Sequence, residues 1–217
     1  MKTSTLVNAI LIIALVAAIA IIIFSGKQSQ TKVDDKLDMP MVDTADIVYN
    51  NLLTRVSVRK YVQQPIARTM LDKIVRAGLS APSAGNKQPW QVLVIDDRTQ
   101  LQIMADSLSS NIDFASAGAV LVVCGDLART FEGEGRDYWV QDASAMTENM
   151  LLAAHGFGLG AVWTGVYPIS DRVQRVHQVL TLPENIVPLC VIAMGWPAEN
   201  PTPKDKWDVT KVHYNHW

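Results

Sequence analysis

The chain has 217 residues, 49% of them hydrophobic, which is one domain's worth of globular sequence with enough apolar material for a sizeable core. Its 19 basic and 21 acidic side chains give a net charge of −2, leaving no electrostatic footprint for nucleic acid and no polybasic run for an anionic membrane surface. Two cysteines, Cys124 in AVLVVCGD and Cys190 in VPLCVIAMG, are too few for a disulfide framework and lack the paired spacing of a zinc site; inside apolar runs they read as small buried hydrophobes and say nothing of the redox compartment.

Residues 6 to 24, LVNAILIIALVAAIAIIIF, carry no charge and one polar side chain, Asn8. At about 1.5 Å per residue this run nearly spans a hydrocarbon core of about 30 Å. A cleavable signal has a shorter apolar region and a small-x-small site, whereas IIIFSGKQ passes from bulky residues straight to lysine. Residues 1–25 therefore read as a single uncleaved membrane anchor, with a cleaved export signal as the alternative. Lys2 precedes the run and Lys27, Lys32 and Lys36 follow it, diluted by Asp34 and Asp35, so the side of the membrane stays open. Residues 26–43 are polar and read as a tether.

From Thr44 onward the pattern is globular. TADIVYNNLLTR places Ile47, Val48, Leu52 and Leu53 at helical spacing, with Thr44 as N-cap. IARTMLDKIVRAGLSA predicts a second amphipathic helix with Ile66, Met70, Leu71, Ile74 and Val75 on one stripe. QVLVID reads as a strand, RTQLQIMADSL as a surface helix and AVLVVCGD as a buried strand. A long helix runs from Tyr138 to His155 and ends at Gly156, after which GFGLGAVWTGV turns into a strand. ISDRVQRVHQVL is a further helix capped by Ser170 or Asp171, and NIVPLCVIAMGW is the last core strand. The alternation of strands and helices, without internal repeats, reads as one α/β-type domain over residues 44–217.

Self-contained catalytic motifs are missing: the sequence has no HExxH, no GxSxG and no Walker loop. GFGLG precedes a strand and lacks dinucleotide-fingerprint spacing. His155, His177, His213 and His216 are scattered with no carboxylate or thiol at ligand spacing, so no metal site is expected. Asp142 and Glu148 lie six apart and point to different faces of their helix, so they form no acid/base pair. A redox or group-transfer role would need a borrowed cofactor.

Anion-competent groups are present. In TRVSVRKY, Arg55, Ser57 and Arg59 alternate, so an extended backbone points two guanidiniums and a hydroxyl the same way. In PTPKDKW, Lys204 and Lys206 are again one residue apart, on a segment stiffened by Pro201 and Pro203. Each pattern alone fits a solvated basic surface better than a site; two of them, one near each end of the domain, point together to an anion. PSAGNKQPW reads as a ligand cradle. Its small residues Ser83, Ala84 and Gly85 permit close backbone approach, Asn86 offers a donor and an acceptor, Gln88 either does likewise or braces the loop, and Pro82 and Pro89 stiffen it. Trp90 is read as core. Thr164 and Gly165, in WTGVYP, offer backbone N–H groups at a strand end.

These segments in this order (RxSxR, AGLSAPSAGNKQPW, ENMLLAAHGFGLGAVWTG, and GWPxExPxPKxK followed by VHYNHW) resemble the FMN-dependent nitroreductase family over the whole domain. The resemblance implies an α+β fold: a mixed, mostly antiparallel sheet surrounded by helices, in a homodimer whose C-terminal arms are exchanged. It implies that Arg55, Ser57 and Arg59, with the backbone of Val56, hold the phosphate and pyrimidine side of FMN. It implies that Pro82, Ser83, Ala84 and Asn86 reach FMN from the partner subunit, that Trp163, Thr164 and Gly165 lie by its reactive edge, and that Lys204 and Lys206 meet its phosphate. Family members often have serine where Ala84 stands and arginine where Lys206 stands, so a hydroxyl and a bidentate contact are lost here. The implied activity is an NAD(P)H:acceptor oxidoreductase reducing nitroaromatic, quinone or related small acceptors. Hydride passes through flavin N5 in two steps, with no catalytic side chain and no metal. A membrane-tethered flavin-binding module with little turnover, and a same-fold enzyme with reductive dehalogenase-like chemistry, are the alternatives. For the latter, Glu132, Glu134, Arg136 and Tyr138 would form a lid, although Gly133 and Gly135 make that stretch read as a solvated loop.

Overall fold

A computed structural model describes residues 43–108 and 111–217. The anchor, cleaved-signal and tether readings, over residues 1–43, lie outside the described residues except at Asp43; among the described residues no helix is long and apolar enough to cross a membrane.

The sheet is organised around one strand, β5 (Ile186–Pro197), whose residues from Pro188 to Gly195 are all buried. It pairs antiparallel with β3 (Ala119–Asp126) on one edge and with β4 (Gly160–Gly165) on the other, while β1 (Tyr61–Val62) joins at its end. β2 (Trp90–Ile95) pairs with β3 and forms the outer edge. Among the described residues every strand pairing is antiparallel, and the one parallel bridge, Ser57 to Ala161, is isolated.

Both faces of this sheet are covered. Ala119, Leu121, Val123, Ile192 and Met194 pack with Leu71 and Ile74 of α2 (Arg68–Leu79) and with Met146 and Met150 of α4 (Tyr138–Gly156). Val120, Val122, Val191 and Ala193 face the other way, onto Leu101 and Met104 of α3 (Arg98–Ser107) and Val176 of α5 (Ser170–Leu180). Two-sided burial gives the strands near-continuous apolar runs instead of the alternation usual for antiparallel sheets. That is why strand and helix alternation alone suggests α/β, whereas the connectivity is α+β, as the family resemblance implies. Cys124 and Cys190 are buried on opposite faces, and burial pushes each thiol up to about 12, so neither is a nucleophile near neutral pH.

Helix ends differ from expectation in two places. Asp43, not Thr44, caps α1 (Thr44–Thr54), its carboxylate accepting from Ala45 N at 2.9 Å. Ile169 occupies the N-cap of α5 with no side-chain bond, so neither Ser170 nor Asp171 caps it. The apolar stripe of α1 also finds no cover among the described residues: none of the helix is buried, and Leu52 and Leu53 are half exposed. The two-residue β1 was not visible as a strand in the sequence.

The segment between α1 and β1 is pinned along β4. Val58 N donates to Ala161 O at 3.1 Å, and Val58 is buried against Gly160. A Cβ at Gly160 would lie 2.6 Å from the Val58 Cβ and Cγ1 atoms, branched positions that cannot swing away. Gly160→Ala is expected to destabilise by about 1–3 kcal/mol, read as a lower urea midpoint at unchanged m. Gly165→Ala, whose Cβ would meet nothing within 4 Å, is expected to stay within about 0.5 kcal/mol of wild type. Equal midpoints for the two variants would show that the close approach does not constrain the segment.

Candidate functional site

Arg55, Ser57 and Arg59 leave the end of α1 in extended backbone and line one cleft of about 1110 Å³, while Val58 between them enters the core. Alternation therefore works as the sequence implies, and Val56 borders the cleft as well. The opposite wall is the arm from Pro201 to Trp207, which brings Lys204 and Lys206 into the same space. The cleft holds four cationic side chains against two carboxylates, Glu148 and Asp205. Tyr49, Leu52, Leu53 and Trp207 supply an apolar flank. Positive charge at one part and apolar surface at another suit an amphipathic anion with a flat hydrophobic portion. A smaller groove of about 520 Å³, against α5 and lined by Pro168, Ser170 and His177, has no lysine or arginine with which to hold such a ligand.

Backbone bonds fix this segment from several directions. Arg59 N donates to Glu199 Oε1 at 2.6 Å, tying the RVSVR stretch to the start of the arm. Asp113 N donates to Arg59 O at 3.0 Å, and Ala198 N to Lys60 O at 2.9 Å. The Tyr61 hydroxyl lies 2.6 Å from Val58 O and 3.0 Å from Ala193 O and donates to one at a time. Burial first, then Glu199, raises that phenol above its usual range. Arg55 is gripped from α4: its Nε lies 3.2 Å from Glu148 Oε1.

The remaining expected site residues do not line this cleft within the chain. Trp163, Thr164 and Gly165 end β4, which runs beside the RVSVR stretch through the Ser57–Ala161 bridge. Trp163 packs against the core, Thr164 Oγ1 is buried without a hydrogen-bond partner among the described residues, and Gly165 faces open space. Pro82, Ser83, Ala84 and Asn86 belong to a loop held on α4 by a buried carboxylate, Asp142, whose Oδ1 accepts from Ala84 N at 2.9 Å. Of the two roles open to Gln88 the structure shows the brace, through Gln88 N to Ser83 Oγ and Gln88 Nε2 to Asn86 Oδ1. Gly85 has a φ of +53°, and a Cβ there would come within 2.8 Å of Phe131 Cζ, so backbone conformation and the chain's own aromatic ring both favour glycine at this position. Glu132, Glu134, Arg136 and Tyr138 are exposed, as a solvated loop would be.

Asp142, Glu148, Glu199 and Phe131 are therefore site-building residues to which the sequence assigned no site role, although Glu148 and Glu199 stand inside the ENMLLAAH and GWPxExP motifs. The cue for Asp142 lies in the sequence: it interrupts the stripe formed by Trp139, Ala143, Met146 and Met150, and a carboxylate in an inward stripe needs a partner. Glu148 and Phe131 carry no such cue.

The profile of the nitroreductase family matches residues 52–129 and 100–196. The chain belongs to the nitroreductase family. A Methanothermobacter thermautotrophicus protein provisionally named an NADH dehydrogenase/NAD(P)H nitroreductase is 37% identical over 171 residues, 78% of this chain and 87% of that one. A Bacteroides thetaiotaomicron crystal structure under the same provisional name shares 43% identity with a TM-score of 0.73, covering 79% of this chain and 98% of its own. The Vibrio harveyi NADPH:FMN oxidoreductase complexed with NAD+ shares 28% identity and a TM-score of 0.70, covering 78% and 77%. The nitroreductase fold of this chain is thus shared with solved relatives over the described domain.

Within this nitroreductase domain His155 of α4 meets Thr54 at the end of α1. Thr54 Oγ1 donates to Asn50 O at 2.6 Å, so the imidazole Nε2, 2.9 Å from Thr54 Oγ1, carries the proton between them. Burial first, then the Arg55 guanidinium, holds the imidazole below its usual range. The unfolded chain, titrating at about 6.5, then takes up the proton before the folded one. The stability contribution is complete above about pH 6.5 and is lost as pH falls below it toward the folded value. His155→Gln, which keeps an N–H for Thr54, is expected to flatten the fall in Tm between about pH 7.5 and pH 5.0. Parallel profiles for variant and wild type would show that His155 does not titrate in this way.

Proposed function

We propose that the protein is an FMN-dependent NAD(P)H oxidoreductase that reduces nitroaromatic, quinone or similar small acceptors. One observation carries the reading: Arg55, Ser57 and Arg59 share a cleft with Lys204 and Lys206, segments far apart in the chain. FMN fits the residues present. Its phosphate matches the cationic side chains, of which Arg59, Lys204 and Lys206 have no carboxylate partner among the described residues, and its ring system matches the apolar flank. The buried, partnerless Thr164 Oγ1 and the open space at Gly165 sit on the strand beside that segment.

In this reading Arg55 and Arg59 bind the anionic end of the cofactor, Lys204 and Lys206 close over it from the arm, and Thr164 meets its polar edge. When bound, FMN supplies the hydride chemistry, taking two electrons from a nicotinamide and passing them to the acceptor. The apolar flank formed by Leu52, Leu53 and Trp207 offers the ring a hydrophobic wall. The purified domain is expected to be yellow and to release FMN on denaturation, and Arg55→Ala with Lys204→Ala is expected to weaken FMN binding at least about tenfold while leaving Tm nearly unchanged. A colourless protein that cannot be loaded with FMN would sink the assignment, and loss of folding in the double variant would make these charges structural.

A homodimer completes the site. The exposed stripe of Ile47, Val48, Leu52 and Leu53, the exposed Trp207, Tyr214 and Trp217 of the arm, and a loop at 82–86 that does not line its own chain's cleft all support it. Exposed apolar surface of this extent calls for cover.

Residues 6–24 act as a membrane anchor in this proposal, on the strength of their uninterrupted apolar character. The full-length protein is expected to stay with membranes through a carbonate wash, and recovery in the soluble fraction would mean that the run is removed or does not anchor.

A further inference from the structure

We infer that Glu148 is a positioning residue for the Arg55 guanidinium, holding it by Nε so that its Nη groups are left for the anionic end of the ligand; this rests on the flavin reading above. An arginine carries five N–H donors in one plane. The Glu148 carboxylate, 3.2 Å from Nε, engages one edge of that plane, and no other side chain pairs with the guanidinium among the described residues. Glu148 also lines the cleft.

By charge alone its presence there is adverse, because it offsets one of four cations in a site that must attract an anion. A stability role is also a poor account of it. The carboxylate is 47% exposed, and exposed pairs contribute little to folding. The stretch it touches is already fixed by bonds donated by Val58 N and Arg59 N and accepted by Lys60 O. What the pair does achieve is to order a long side chain that is only 18% exposed before any ligand arrives. That ordering lowers the entropy cost of binding. The support is rigid: Glu148 sits mid-helix on α4, next to the fully buried Thr147, whose hydroxyl donates to Ala143 O at 2.7 Å.

The two accounts predict opposite signs. If only the field of the cleft matters, Glu148→Gln removes a repelling charge and FMN binds more tightly. If Glu148 orients Arg55, the same change weakens FMN. Titration of FMN into apo-protein should show E148Q raising Kd about three- to tenfold, with Tm within about 2 °C of wild type. In an Arg55→Ala background the substitution should change Kd less than about twofold, since the group it orients is gone. Unchanged or tighter binding by E148Q overturns the inference while leaving the flavin assignment standing, as does a loss that persists without Arg55. Failure of the wild-type apo-protein to bind FMN overturns the flavin assignment and this inference with it.

Discussion

The hydrogen bond from Arg59 N to Glu199 Oε1 joins two stretches 140 residues apart, and the cleft depends on it. On one side of that bond lies the RVSVR stretch; on the other, the arm that carries Lys204 and Lys206. An exposed, proline-stiffened arm has little core of its own, and without a tether it would sample many positions. The bond sets where it leaves the sheet. The stretch it is tied to is in turn bound to β4 through Val58 and to β5 through Tyr61, so the cationic groups stand on a frame whose backbone polar groups are committed elsewhere.

The long helix α4 is the second organising element. Its buried stripe packs on the sheet and on α2, and its polar residues each hold a different part of the site: Asp142 the 82–88 loop, Glu148 the Arg55 side chain, His155 the end of α1. Glu148 and His155, seven residues apart, share the face that meets the end of α1, whereas Asp142 lies on the face that meets the 82–88 loop. A pair of carboxylates that fails as an acid/base dyad thus serves as two separate anchors, in keeping with a site in which the protein positions and a cofactor reacts.

Much of this was legible in the residues themselves. The periodicity of IARTMLDKIVRAGL and of Tyr138–Gly156, the apolar runs around Cys124 and Cys190, and the alternation of Arg55, Ser57 and Arg59 are local patterns, and local backbone geometry follows from them. So do the Gln88 brace and the packing of Trp90 in the core. The family resemblance rests on the same motifs and brought the α+β topology with it, against the α/β impression left by alternating elements.

Other features arise between elements and leave no local trace. No spacing shows that Gly85 is glycine because Phe131 lies over it, that Gly160 is glycine because Val58 does, or that Glu148 and Arg55 meet. The stripe of α1 has the periodicity of a core helix and yet lies on the surface, because periodicity records which side chains share a face and not what covers that face. The residues determined the elements and the chemical groups each one carries; the chain's long-range packing determined which groups share a cleft. The reason is that strand and helix patterns are set by neighbours a few residues away, whereas a site is built from contacts whose partners are chosen only when the sheet closes.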